Sequence, residues 1–383
     1  MPVQIRKVES RADFKHFFEF PWRVYKDDPF WIPPLPSMRR DVIDKKHSAA
    51  WEYLQGDYFL AWRGDEVVGT IAAFINPRHN EFRKENVCFF GAFEVYNDPE
   101  AASALLQTAI NWGRERGIPV IRGPLTFTVH EEIGLLIDGF DFPRILMTYN
   151  PPYYRGLVES EGFTKHDDIF SFYMDWKMGD ESHLFDRIAK LEERLLRRGR
   201  IKIRPIDRGE IKREFRMFSE IYNEAWLANS GHTPLTEREL ESMVKSLGVI
   251  FDPKLACFAE VDGEIAGFMI TVPDFNQILR IVRPQPNVPE IFSLLQIAWH
   301  WKVRPKLTLY RLPLLGVREQ HRKLGLDMLM VAYLVRYLRP LGTCEAVDGG
   351  WVLESNPAMA KLLEGIGMST YRTYRLYERS TGA

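Results

Sequence analysis

The chain repeats itself. Val3-Gln4-Ile5-Arg6-Lys7-Val8-Glu9 is echoed by Ile201-Lys202-Ile203-Arg204-Pro205-Ile206-Asp207, and Gly64-Asp65-Glu66-Val67-Val68-Gly69-Thr70-Ile71 by Asp262-Gly263-Glu264-Ile265-Ala266-Gly267-Phe268-Met269. Both matches sit at one offset, 198 residues, which two unrelated coincidences would not share. A chain of 383 residues is more than one ordinary core supports, and the repeat says where it divides.

Each copy reads in the same order. A first strand is followed by a helical stretch (residues 13–25 and 212–227) and a hairpin around a Gly turn (58–75 and 256–272). The first copy continues with a strand at 87–96, a helix at 99–116, a strand at 120–123, a short helix at 152–160 and a strand at 169–176. The second continues with a strand at 307–317, a helix at 326–334, a strand at 344–354, a helix at 358–364 and a strand at 371–377. Between the copies, Leu184, Phe185, Ile188, Leu191 and Leu195 recur every three or four residues and predict an amphipathic connecting helix over 179–200. Strands alternating with helices imply a mixed sheet covered by helices.

Lys and Arg number 51 against 52 Asp and Glu, so no global field draws nucleic acid or an anionic membrane, and neither is an expected partner. The start, Met1-Pro2-Val3-Gln4-Ile5-Arg6, lacks the apolar core of a signal peptide. No apolar run approaches the roughly 18 residues of a membrane span. Cys88, Cys257 and Cys344 are far apart, odd in number and without metal spacing, which points to a reducing cytoplasm. His130-Glu131-Glu132 lacks the second histidine of a zinc helix, so no metal is expected.

Chemistry concentrates in the second copy. The strand ending Leu315-Gly316-Val317 runs into a basic turn, Arg318-Glu319-Gln320-His321-Arg322-Lys323-Leu324-Gly325, and then into a helix opening Leu326-Asp327. A helix start presents unpaired N–H groups and about half a positive charge, and Arg318, Arg322 and Lys323 add counter-charge. Diphosphate is the natural guest.

This segment resembles the GCN5-related N-acetyltransferase superfamily, whose coenzyme A pyrophosphate loop reads V-x-x-x-x-(R/Q)-x-x-G-x-(G/A). Val317, Arg322 and Gly325 fall on the pattern; Asp327 departs from it, and its carboxylate would repel a phosphate aimed at the same amides. Asn356, Met359 and Gly367 match the family's acyl-CoA half-site further on, while Leu363 stands where many members carry the tyrosine that protonates the leaving thiolate. The equivalent loop of the first copy, Val95-Tyr96-Asn97-Asp98-Pro99-Glu100, caps its own helix and carries two carboxylates where a pyrophosphate would sit. The resemblance implies an α/β (α+β) protein with two tandem acetyltransferase-like domains, each a mixed, mostly antiparallel sheet flanked by helices. Residues 1–178 would be a degenerate copy, 179–200 the connecting helix and 201–383 the coenzyme-binding copy.

The function implied is acyl transfer from acetyl-CoA or another acyl-CoA to an amine on a small-molecule acceptor. Leu315 and Val317 would pair with the pantetheine arm; Arg322, Lys323, Leu324, Gly325, Leu326 and Asp327 would hold the pyrophosphate, and Asn356 would orient the thioester. Glu354, ending its strand beside that position, is a candidate base, though a strand-end acid is also an ordinary solvated group. Tyr371 on the last strand could replace the missing acid at 363, or simply pack. His232, in Asn229-Ser230-Gly231-His232-Thr233-Pro234, has a suitable unperturbed pKa near 6.5, as has any solvated loop histidine. Asp327 and Leu363 keep a catalytically inactive acyl-CoA-binding or regulatory module open, and the tandem layout keeps another activated acyl donor open. Oligomeric state and acceptor are not legible.

Overall fold

The computed structural model describes residues 1–383 other than 130, 198, 226–232, 249–251 and 306. The first half runs β1 (Val3–Lys7), α1 (Arg11–Val24), α2 (Pro36–Ile43), β2 (Gln55–Arg63), β3 (Glu66–Ile75), α3 (Pro77–Arg83), β4 (Val87–Val95), α4 (Pro99–Arg114), β5 (Val120–Gly123), β6 (Leu135–Asp138), α5 (Tyr153–Ser160) and β7 (Thr164–Asp175). After α6 (Trp176–Glu181) and α7 (Leu184–Leu196) come β8 (Ile201–Pro205), α8 (Ile211–Ala225), α9 (Glu237–Gly248), β9 (Ala256–Val261), β10 (Glu264–Pro273), α10 (Asn276–Val282) and α11 (Glu290–Ala298). The chain ends with β11 (Leu309–Val317), α12 (Leu326–Leu338), β12 (Ala346–Leu353), α13 (Pro357–Gly365) and β13 (Ser369–Ser380).

Two compact units form, and they do not follow the two sequence copies. Unit 1 comprises Met1–Ile169, Ile278–Arg304 and Arg372–Ala383; unit 2 comprises Phe170–Gln277 and Pro305–Tyr371. The boundaries expected at 178 and 201 are thus displaced, and the connecting helix belongs to unit 2. Periodicity locates strands but does not name their partners, which is why the division by repeat differs from the division by packing.

In unit 1 the strand order is β1-β2-β3-β4-β5-β13, with β6 beside β13. Pairing is antiparallel except for β4 with β5. The last strand of the chain therefore completes the first sheet, with Tyr377 opposite Gly123 and Ser380 opposite Val120. On this sheet lies α4, whose Asp98 caps the helix through the Ala101 N–H and whose Pro99 presets the first turn. Its Ala101, Leu105, Leu106, Ala109 and Ile110, spaced three or four apart, are buried with Ile71, Phe90 and Val158. Truncating Leu105 to Ala here should cost about 2–5 kcal/mol, the usual range for a core leucine.

In unit 2 the order is β8-β9-β10-β11-β12-β7, the strand of the first half completing the second sheet. Pairing of β8 through β11 is antiparallel, and β11 with β12 is parallel. Leu329 and Met330 of α12 pack with Leu184, Phe185 and Ile188 of α7 in its core.

The repeat is visible in register. Gly69 faces Val95 across β3–β4, and Gly267 faces Val317 across β10–β11. The register then slips in both, between Thr70 and Ala72 and between Ile270 and Val272. Each sheet thus carries a bulge beyond its glycine, two residues further along in unit 2, and a bulge re-aims the strand end that follows it.

Candidate active site

In unit 1 the bulge centres on Ala92, at φ 45°, whose carbonyl accepts from the Thr70 hydroxyl at 2.9 Å. It turns Glu94, near the end of β4, into a cavity of about 60 Å³ lined among others by Tyr25, Arg39, Glu132, Tyr149 and Asn150. That volume holds a few waters or a small polar head group. Pairing of β4 with β5 runs only from Val87–Val120 to Phe89–Arg122, so the cavity lies where the two parallel strands part.

Tyrosines hold the carboxylate. Tyr25 of α1 donates to Glu94 Oε2 at 2.7 Å and Tyr154 of α5 donates to the same oxygen at 2.8 Å. Burial pushes both phenols well above their usual pKa, so each remains a donor. Tyr154 in turn accepts from the Val95 N–H at 2.8 Å, and Tyr25 stacks on Trp31 with centroids 5.0 Å apart. Asn150 exchanges hydrogen bonds with the Leu136 backbone on β6, and Tyr149 donates to Asp28, which fixes the opposite wall. Burial raises the Glu94 carboxyl from its ordinary range to about 7, against the pull of the two phenols and of Arg39. A carboxylate near neutrality in a polar cavity is suited to take a proton from an amine.

In unit 2 the strand, basic turn and helix expected over 307–334 form in that order. Gly325 adopts φ 71° at the start of α12, a conformation glycine reaches without strain. A short 3₁₀ turn, Glu319–Leu324, precedes it and leaves Arg322 and Lys323 exposed side by side. Arg318 instead forms an ion pair with Glu224 at 3.4 Å. No side chain caps α12, but Asp327 Oδ1 accepts from the Met328 N–H at 2.8 Å, so this carboxylate lies against the first amides of the helix. Leu315 and Leu326 are buried in the unit 2 core and can offer a ligand only backbone, whereas Val317 ends β11 half-buried and Leu324 is exposed.

The remaining expected residues do not converge. Glu354 is exposed at the end of β12, and Asn356 caps α13 by accepting from the Met359 N–H at 3.3 Å. Tyr371 donates to Asp348 Oδ2 at 2.5 Å, which commits its hydroxyl inside the sheet. His232 lies outside the described residues. Leu363 is 2% exposed and packs in the core with Met368, so nothing polar replaces it there. Two features were not anticipated. One is Glu94 with its tyrosines; its only signal was a lone acid inside the apolar strand Val87-Cys88-Phe89-Phe90-Gly91-Ala92-Phe93-Glu94-Val95. The other is a buried pair in unit 2, Arg311 on β11 facing Asp348 on β12 at 3.3 Å, with the guanidinium also donating to the Gly350 carbonyl.

Among the described residues no group of three His, Cys, Asp or Glu is arranged to hold a metal ion, and no helix is long and apolar enough to cross a membrane.

The fold, with a mixed and mostly antiparallel run of strands flanked by helices in each unit, is shared with solved acetyltransferases. The tandem protein of this fold from the clavulanic acid biosynthesis pathway superposes over 100% of this chain and 99% of its own with a TM-score of 0.54, at 12% identity. No family model matches the chain. It is 32% identical to the bacterial ceramide synthase of Caulobacter vibrioides, over 99% of this chain and 97% of that one, and 30% identical to Protein YghO of Escherichia coli, over 98% and 95%. The chain belongs to the family of these two proteins, and its fold is that of the tandem GCN5-related N-acetyltransferases.

Proposed function

We propose that this protein transfers an acyl group from an acyl-CoA to the primary amine of a long-chain amino alcohol, with Glu94 as the group that accepts the amine proton. The observation that carries the reading is the placement of Glu94: a carboxylate raised to about 7, held by two phenols, facing a cavity at the point where β4 and β5 part. An amine attacks a thioester only when unprotonated, and an acceptor of near-neutral pKa removes its proton without first needing to be deprotonated itself at working pH.

The acyl-CoA donor is a separate reading, supported by the unit 2 loop on its own. Arg322, Lys323 and the α12 start offer the charges and amides a diphosphate needs. The acceptor class comes from the relative's name, since a ceramide is the amide of a fatty acid with a long-chain amino alcohol.

The test is thiol release from acyl-CoA of several chain lengths in the presence of a panel of amines that includes polyamines, amino acids and long-chain amino alcohols. Amine-dependent release that rises with acceptor chain length supports the reading. Release with short amines alone would remove the acceptor class, and none with any pair would remove the enzyme.

A further inference from the structure

The outer side of α11 and the turn after it carries a dense run of exposed apolar side chains. Leu295 is 62% exposed, Ile291 56%, and Phe292, Leu294, Trp299 and Val303 stand beside them. Single exposed apolar residues need no explanation, but a contiguous set on one short segment does.

The segment is firmly seated, so the exposure is not that of a frayed end. Ser293 and Ile297, one helical turn apart, are buried on its inner side. Ser37 donates to Glu290 from both its N–H, at 2.8 Å, and its hydroxyl, and Trp22 Nε1 donates to the Pro284 carbonyl at 2.8 Å. The Arg280 guanidinium sits 3.4 Å from the Phe142 ring centroid. All of these contacts lie within unit 1.

Charge on the segment is one-sided. Between residues 280 and 304 the only acid is Glu290, tied to Ser37, while Lys302 and Arg304 are exposed just beyond Trp299. We infer that this face is a membrane-surface anchor: α11 lies in the plane of an anionic phospholipid bilayer, with Ile291, Phe292 and Leu295 among the acyl chains and Trp299, Lys302 and Arg304 at the headgroups. A helix of nine residues is far shorter than the roughly 20 that span a bilayer, and an apolar face bordered by tryptophan and cations is the pattern of helices that lie at the interface. A second copy of the chain fits less well. One face of a nine-residue helix paired with itself is small beside the roughly 800 Å² each partner gives to a stable interface. The near-neutral total charge is no objection, because screening confines the attraction to within about a Debye length of the face itself.

The anchor stands apart from the acyl-transfer reading, and its test uses no substrate. The full chain is sedimented with phosphatidylcholine vesicles containing one quarter phosphatidylglycerol and with phosphatidylcholine alone. The wild type should bind the anionic vesicles at least ten-fold more tightly than the neutral ones. Ile291→Ser with Leu295→Ser should lose binding at least ten-fold with an unchanged unfolding temperature, since neither side chain is buried. Lys302→Glu with Arg304→Glu should remove only the anionic preference. Failure of the wild type to bind either vesicle, or full binding by the serine variant, overturns the anchor. A wild-type dimer in solution that the serine variant dissociates also overturns it, making the face a subunit interface.

Discussion

Tyr25 and Tyr154 both donate to one oxygen of Glu94, at 2.7 and 2.8 Å, although they come from helices more than a hundred residues apart. This convergence places α1, β4 and α5 around a single carboxylate. Two hydrogen bonds to the charged form keep it from rising further, while burial keeps it from falling back to the range of a solvated acid.

If Glu94 takes the amine proton, Glu94→Gln should lower kcat/KM by about 10²–10⁴-fold, the usual contribution of a general base. Its binding of acyl-CoA should be unchanged. The wild-type pH profile should rise with an apparent pKa near 7, as Glu94 ionises, and that limb should vanish in the variant. Steady-state kinetics from pH 5 to 9 read both.

The same shift makes a stability prediction. The folded pKa of Glu94 is raised to about 7 from the roughly 4.3 of an unfolded glutamate, so between these values the folded chain holds the proton and the unfolded chain does not. Its contribution to stability is therefore complete below about pH 4 and is lost as pH rises through 7. The melting temperature of the wild type should fall more steeply than that of Glu94→Gln from pH 5 to 8. Parallel curves would show that Glu94 titrates normally.

Removing one donor should act in a known direction. Tyr25→Phe deletes a hydrogen bond that favours the charged carboxylate, so the rising limb of the pH profile should move to higher pH while the limiting rate above it is retained. A shift to lower pH would contradict the assignment of the donor.

At the loop, Asp327 lies on the Met328 N–H where a phosphate would compete for the same amides. Asp327→Gly should tighten coenzyme binding despite a helix-start cost of about 0.5 kcal/mol. Arg322→Ala with Lys323→Ala should weaken it. In the wild type, acyl-CoA at about 100 times Kd should stabilise the chain by about 2.7 kcal/mol, read as a thermal shift.

Much of the fold was legible. The offset of 198 residues anticipated the paired hairpins, and the registers Gly69 to Val95 and Gly267 to Val317 are its structural form. Asp98 and Pro99 were readable as a helix start because capping is local chemistry. What was not legible is non-local. That β13 completes unit 1 and β7 unit 2 depends on which strand edges meet, and alternation along a strand says nothing of that. Glu94 was missed for the same reason, since its meaning comes from Tyr25 and Tyr154, distant in sequence. Attention to lone charges inside apolar strands would have found it, as it would have found Arg311 and Asp348.

That pair gives a stability prediction of its own. Arg311 and Asp348 are 2% and 1% exposed and 3.3 Å apart, so Arg311→Met alone should cost about 3–5 kcal/mol by removing the guanidinium charge beside a buried carboxylate that also accepts from Tyr371. Arg311→Met with Asp348→Leu should recover most of the loss, as measured by urea unfolding. Additive losses would show that each residue acts through packing and not through the other.

The central claim is that Glu94 serves amide formation. Acyl-CoA and a long-chain amino alcohol are incubated with the purified chain, and the product is read by mass spectrometry. The account predicts the amide and one equivalent of free coenzyme A from the wild type, with at least a hundred-fold less from Glu94→Gln under identical acyl-CoA saturation. Amide formation at wild-type rate by Glu94→Gln would contradict it.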